Sequence, residues 1–133
     1  MPRAAATPPA PRRRTADVLQ PALHLRMRVT LGETNAIGPG KVALLEAVDE
    51  CHSISAAAKS LGMSYRRAWL LIDELNKSLT SPAVTTATGG ANGGGTVLTD
   101  VGHRLVALYR GIEARAQDSC RDDIGKLLTL VAR

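Results

Sequence analysis

The chain contains no phenylalanine, one tryptophan and two tyrosines among its 133 residues. A core without many rings must be built from Leu, Val, Ile and Ala. That suits small packed helices and argues against a large aromatic-lined ligand cavity. Only two cysteines are present, Cys51 and Cys120, far apart and without CxxC spacing. This excludes a disulfide-stapled scaffold and a cysteine metal pair, and leaves two thiols in a reducing compartment. No apolar run approaches the roughly 18–20 residues that a membrane helix requires. The first residues also lack the apolar core of a secretion signal, so a cytoplasmic location is expected. The histidines, His24, His52 and His103, are scattered, and no spacing gathers them with carboxylates or a nucleophile. Glu46, Asp49 and Glu50 read as a solvated helix face. An enzyme is therefore not expected, and neither is a metal or other cofactor.

What the chain does have is a surplus of positive charge, +5 at neutral pH. That balance favours a polyanionic partner. Residues 1–20, MPRAAATPPAPRRRTADVLQ, are rich in Pro, Ala and Arg and are expected to be disordered. Arg12–Arg14 suit either a phosphate-touching arm or a solubilising leader. Next, Leu23, Leu25, Met27, Val29 and Leu31 alternate with polar residues, the period of a strand with one buried face. GETNAIGPG then breaks that pattern. Pro39 opens a helix over about 39–51, with Lys41, Glu46, Asp49 and Glu50 off its apolar side. Ser53 or Ser55 caps a second helix to about Leu61, which Gly62 ends in the left-handed conformation. Ser64 caps a third, to about Leu79. A short helix, a glycine turn and a longer helix make a helix-turn-helix. Ala57 and Ala58 permit close approach. Ala68, Trp69, Ile72, Leu75 and Leu79 form the apolar side of the third helix, with Trp69 expected in the core.

The stretch TGGANGGGT places five glycines between Gly89 and Gly95. A Walker loop would end in Gly-Lys-Ser/Thr and open a helix, whereas no lysine follows here and the next run is β-favouring. A dinucleotide fingerprint fits no better. Val84–Thr88 and Thr96–Thr99 instead flank the glycines as a hairpin, and a hairpin after a helix-turn-helix is a wing. Its tip carries no Arg or Lys, so a contact there falls to backbone N–H groups at Gly90 and Gly93 and to Asn92. Thr99 or Asp100 then caps a long helix. Along it Val101, Leu105, Leu108, Ile112 and Ala116 follow at steps of 4, 3, 4 and 4, a narrow stripe like the seam of a helix pair. Asp122–Val131 adds a short amphipathic piece.

The runs SISAAAKSLGMSYRRAWLLIDELN and ATGGANGGGTVLTDVGHRLVALY together strongly resemble the N-terminal domain of the ModE family of molybdate-responsive bacterial repressors, and more distantly the LysR-type DNA-binding domain. The resemblance covers roughly residues 22–120. It implies a mainly α fold with small β elements (α+β), a winged helix-turn-helix with a long C-terminal dimerisation helix. The organisation expected is an arm over 1–20, the winged domain over 21–99, and the dimerisation helix with its tail over 100–133. The resemblance also implies a homodimer on double-stranded DNA, at a pseudo-palindromic operator, in molybdenum-related gene control. Ser64, Tyr65, Arg66 and Arg67 match the first turn of the recognition helix. Ser53 and Ser55 would meet the DNA backbone, and Lys59 and Lys77 are either solvated or phosphate-facing. Full-length ModE proteins continue into a molybdate-binding pair of small β-barrels with a SARN-type motif, which this sequence lacks. The chain is then either a stand-alone form, which its leader and its stop favour, or a first domain cut short. The rival reading is a regulatory partner that forms a heterodimer with a full-length ModE-like subunit and reads no DNA itself.

Overall fold

The computed structural model describes residues 20–87 and 95–131. The arm before Gln20 and the wing tip lie outside the described residues. Two compact units result. The larger spans Leu25–Ala116, and the smaller holds, among the described residues, 20–24 and 117–131.

The larger unit runs β1 (Val29–Leu31), β2 (Thr34–Ile37), α1 (Pro39–Cys51), α2 (Ile54–Ser60), α3 (Tyr65–Ser78), β3 (Val84–Ala87), β4 (Gly95–Leu98) and most of α4, a helix over Asp100–Ser119. Each strand pair is an antiparallel hairpin. The mainly helical α+β class and the winged helix-turn-helix order are as expected. Local signals explain the helix starts. Pro39 occupies the first turn of α1, where no N–H is needed. The Ser53 hydroxyl accepts from the Ala56 N–H at 3.0 Å, so Ser53 rather than Ser55 is the cap. Ser64 accepts from Arg67 N–H at 3.1 Å, and Thr99 rather than Asp100 accepts from Gly102 N–H at 3.1 Å. Gly62 turns the chain between α2 and α3 with φ +69°, and the Met63 N–H donates back to the Ala58 carbonyl at 3.0 Å.

The core is aliphatic. Leu44, Leu45 and Val48 of α1 meet Ala57 and Ala58 of α2, Ala68, Ile72 and Leu75 of α3, and Ala83, Val84 and Leu98 at the base of the second hairpin. Trp69 corrects the sequence reading: it is 45% exposed and stands outside the core. Ala68, Ile72 and Leu75 define the buried line of α3, and Trp69 lies about 100° round the helix from Ala68.

The first strand also differs. Leu23, Leu25 and Met27 are half-buried while His24, Arg26 and Arg28 are exposed, but strand pairing begins only at Val29, and β1 itself is exposed throughout. A ladder needs a partner, and the partner comes from the stretch read as a break. Gly32, at φ +60°, turns the chain so that Thr34–Ile37 pairs back on Val29–Leu31.

On α4 the proposed seam divides. Val101, Leu105 and Ala116 are half-buried, with Leu105 packed on the core, whereas Leu108 is 57% and Ile112 46% exposed. The face that α4 turns to its own domain runs through Gly102, Leu105 and Tyr109. The Tyr109 hydroxyl donates to the Met27 carbonyl at 2.9 Å. Arg110 grips both carboxylate oxygens of Glu46 on α1, at 3.0 and 2.6 Å, and Glu113 at 2.8 Å. The Arg110 guanidinium beside it holds the Glu46 carboxyl below its ordinary range. Glu46 is thus not merely solvated. His103 also lies 3.9 Å from Asp49 across α1 and α4, an approach that sequence spacing did not indicate. Cys51 and Cys120 are free thiols. In the smaller unit α5 (Arg121–Leu128) turns Ile124 and Leu128 half inward and leaves Leu127 exposed.

Gly102 marks the tightest packing. A Cβ there would stand 2.3 Å from the Ala83 carbonyl oxygen and 3.2 Å from the Leu98 Cβ. Gly102→Ala is therefore expected to destabilise the fold by about 1–3 kcal/mol despite alanine's better helix propensity. Urea unfolding checks it, and an unchanged midpoint would refute the close contact.

Candidate nucleic-acid interface

Helix α3 turns Ala68, Ile72 and Leu75 inward, so its opposite side is free to meet a partner. Tyr65, Arg66 and Arg67 are all exposed in the first turn, directly after the Ser64 cap. A shallow groove of about 230 Å³ runs beside them, lined by Ser64, Arg66, Arg67, Leu70, Leu71 and Glu74. Among the described residues, no ion pair engages Arg66 or Arg67. In contrast, Lys41, Lys77, Arg110 and Arg121 are each held by a carboxylate. Two guanidinium groups without internal partners, side by side at a helix start, can grip phosphate oxygens or the acceptor edge of guanine.

The other expected contacts fall in three places. Ser55 and Lys59 are exposed and four apart on α2, so they share one side of that helix. Ser53 is half-buried, and its hydroxyl oxygen is occupied as the cap. Gly90, Asn92 and Gly93 lie outside the described residues. Lys77 is bound to Asp73 at 2.9 Å, which raises its pKa through that hydrogen bond and leaves the lysine less available than a lone cation.

Two residues that the sequence reading missed fix α3 in place. Lys41 was placed off the apolar side of α1, yet it is 6% exposed. Its ammonium donates to Glu74 of α3 at 2.6 Å and to the Asn35 carbonyl of β2. A buried ammonium must be paired, and this one ties the first hairpin to α3. Near the far end of α3, the Asn76 Oδ1 accepts from the N–H groups of Ala83 and Val84 at 2.8 and 3.3 Å. Its Nδ2 donates to the Val84 carbonyl at 3.2 Å. This side chain acts as a short strand partner for the start of β3. An asparagine in the last turn of a helix, a few residues before a proline, was the available signal. The second hairpin is tied again where the Thr96 N–H donates to the His52 carbonyl at 3.0 Å. Among the described residues no cluster of His, Cys, Asp or Glu could hold a metal ion. No described helix is long and apolar enough to cross a membrane.

Comparison with known proteins agrees with this geometry. Residues 40–103 match the bacterial regulatory helix-turn-helix protein family of the lysR type. The chain is 48% identical over 87 residues to the molybdenum-pterin-binding protein MopB of Rhodobacter capsulatus, covering 65% of this chain and 32% of that protein. It is 40% identical over 94 residues to the molybdenum transport protein ModE of Azotobacter vinelandii, covering 71% and 35%. It is 39% identical over 102 residues to the DNA-binding transcriptional dual regulator ModE of Escherichia coli K12, covering 71% and 39%. The chain thus spans roughly a third of the length of these relatives.

Asn76 offers a direct check on how α3 and the hairpin are joined. Asn76→Ala leaves buried backbone groups of Ala83 and Val84 unpaired and is expected to cost about 1–3 kcal/mol. Amide hydrogen exchange should show Ala83 and Val84 losing protection first. Unchanged exchange at both would refute the clamp.

Proposed function

From the premise that this chain carries a lysR-type helix-turn-helix domain of the ModE kind, we propose that it binds double-stranded DNA as a homodimer and regulates transcription in the cytoplasm. The observation that carries the reading is the exposed pair Arg66 and Arg67 in the first turn of α3, which no ion pair engages among the described residues. Affinity comes from cation–phosphate contacts and selectivity from base edges met by that turn. Ser55 and Lys59, on the neighbouring helix, face the backbone. The names of the relatives support control of molybdenum-related genes. Sequence similarity to regulators, together with scattered histidines, supports a non-enzymatic role.

Dimerisation rests on Leu108 and Ile112, large apolar side chains left open on α4, with half-buried Val101 and Ala116 beside them, while Leu105 packs on the domain's own core. Two-fold symmetry then calls for half-sites about one helical turn, or a multiple, apart. Because Leu108 is exposed within one chain, Leu108→Asp leaves the monomer folded. It buries a charge only in the dimer and is expected to weaken assembly by several kcal/mol. Sedimentation checks this, and a wild type that stays monomeric at micromolar concentration refutes the dimer.

Arg66→Ala and Arg67→Ala separate the two kinds of contact. Loss of a bidentate base contact costs about 1–3 kcal/mol and relaxes preference at one base position. Loss of a phosphate contact weakens binding to every sequence and lowers the salt slope by roughly one unit. At least one of the two arginines is expected to show the base signature when titrated against a site library at two salt concentrations. If both variants bind with undiminished affinity and selectivity, α3 does not read DNA. The heterodimer-partner reading then replaces this one.

A further inference from the structure

Aromatic side chains are scarce in this chain and unevenly placed. Of three, Tyr109 is buried at 6% exposure, while Tyr65 at 55% and Trp69 at 45% both stand open on α3. Four residues apart, they share one side of the helix, one turn above the other. A core short of large apolar surface has left its largest side chain outside. Trp69 lines an open pocket of about 210 Å³ between α3 and the β3–β4 hairpin, whose buried members include Ile72, Val84 and Thr96.

The charge of this pocket narrows its occupant. Among the described residues that line it, Asp73 alone is charged, and Asp73 is already paired with Lys77. The groove on the other flank of α3 carries both Arg66 and Arg67. One flank is therefore cationic and suits phosphate. The other is aromatic, threonine-rich and without a cation, which suits a neutral part of the same polymer. A duplex backbone alternates phosphate with deoxyribose, whose C–H faces pack on an indole ring without requiring a base to leave its stack. Resting on the DNA reading of α3, we propose that Trp69, with Tyr65 beside it, packs against deoxyribose of the strand passing between α3 and the β3–β4 hairpin. The contact is non-ionic and so, unlike the arginine contacts, is not weakened by salt.

Trp69 is the only tryptophan in the chain, so the wild-type protein carries its own reporter. On adding duplex DNA to the wild type, acrylamide quenching of Trp69 fluorescence is expected to fall. Trp69→Ala should bind the duplex roughly tenfold more weakly. That factor should hold at every salt concentration, with the salt slope unchanged, and Trp69→Phe should recover part of the loss. Circular dichroism shows whether each variant folds. If Trp69→Ala does not, quenching of the wild type and the affinity of Trp69→Phe decide. A wild type that binds duplex with Trp69 still fully open to acrylamide overturns the proposal and gives the pocket to another occupant, while the DNA reading stands. A loss in Trp69→Ala that vanishes at high salt overturns it equally. Failure of the wild type to bind any duplex overturns both.

Discussion

Helices α2 and α3 meet through alanine. Ala57, Ala58 and Ala68 are each no more than 1% exposed, and they leave so little side chain at the crossing that the two backbones must approach closely. A chain without phenylalanine cannot fill a wide gap between helices, so nearness replaces bulk. Everything on the outer side of α3 follows from this. Once Ala68 is pressed inward, Ile72 and Leu75 follow it one and two turns along, and the arginines of the first turn have nowhere to go but out.

Polar ties then fix what packing alone would leave free to roll. Lys41 pulls one flank of α3 toward the first hairpin through Glu74, and Asn76 holds the start of the second hairpin against the last turn of the same helix. These two contacts lie on different flanks of α3, two residues apart within one turn. Together they resist rotation about the helix axis, the motion that would most disturb the bearing of Arg66 and Arg67. Some of the chain's other cations are neutralised internally, as Arg110 is by Glu46 and Glu113. On α3 the two guanidinium groups of the first turn stay uncommitted to any described carboxylate.

Much of this was legible in the sequence where the determining physics is local. Pro39, Ser53, Gly62 and Ser64 set helix starts and turns through their own backbone and nearest N–H groups, and the helix-turn-helix follows from them. The wing strands were legible because β-favouring runs flank the glycines. What escaped depended on distant partners. The first hairpin was hidden because Gly32 was read as a break and not as a turn, and a three-residue strand gives too little alternation to announce its mate. Trp69 was misplaced because it was grouped with Ile72 and Leu75 on one apolar side, although the line of Ala68, Ile72 and Leu75 already leaves it to one side. Lys41 could not be read as buried, since nothing near it in sequence supplies the carboxylate thirty-three residues away. On α4 the stripe of large residues was visible, while Gly102 and Tyr109, which face the domain's own core, were not.

The root of the second hairpin has a further consequence. The root of its two strands is pinned: the Thr99 N–H donates to the Ala83 carbonyl at 2.9 Å, its hydroxyl donates to the Pro82 carbonyl at 2.7 Å, and Gly102 packs closely against Ala83, while the Thr96–His52 bond ties it once more. Such a pin uncouples length from stability. Length changes between Ala87 and Gly95 are expected to leave these ties to the helical body in place. Reach is thus a quantity that descendants of this chain can change in small steps, while the tolerance at Gly102 is set by a single missing methyl group. Divergence should therefore be fast on one side of that pin and nearly arrested on the other.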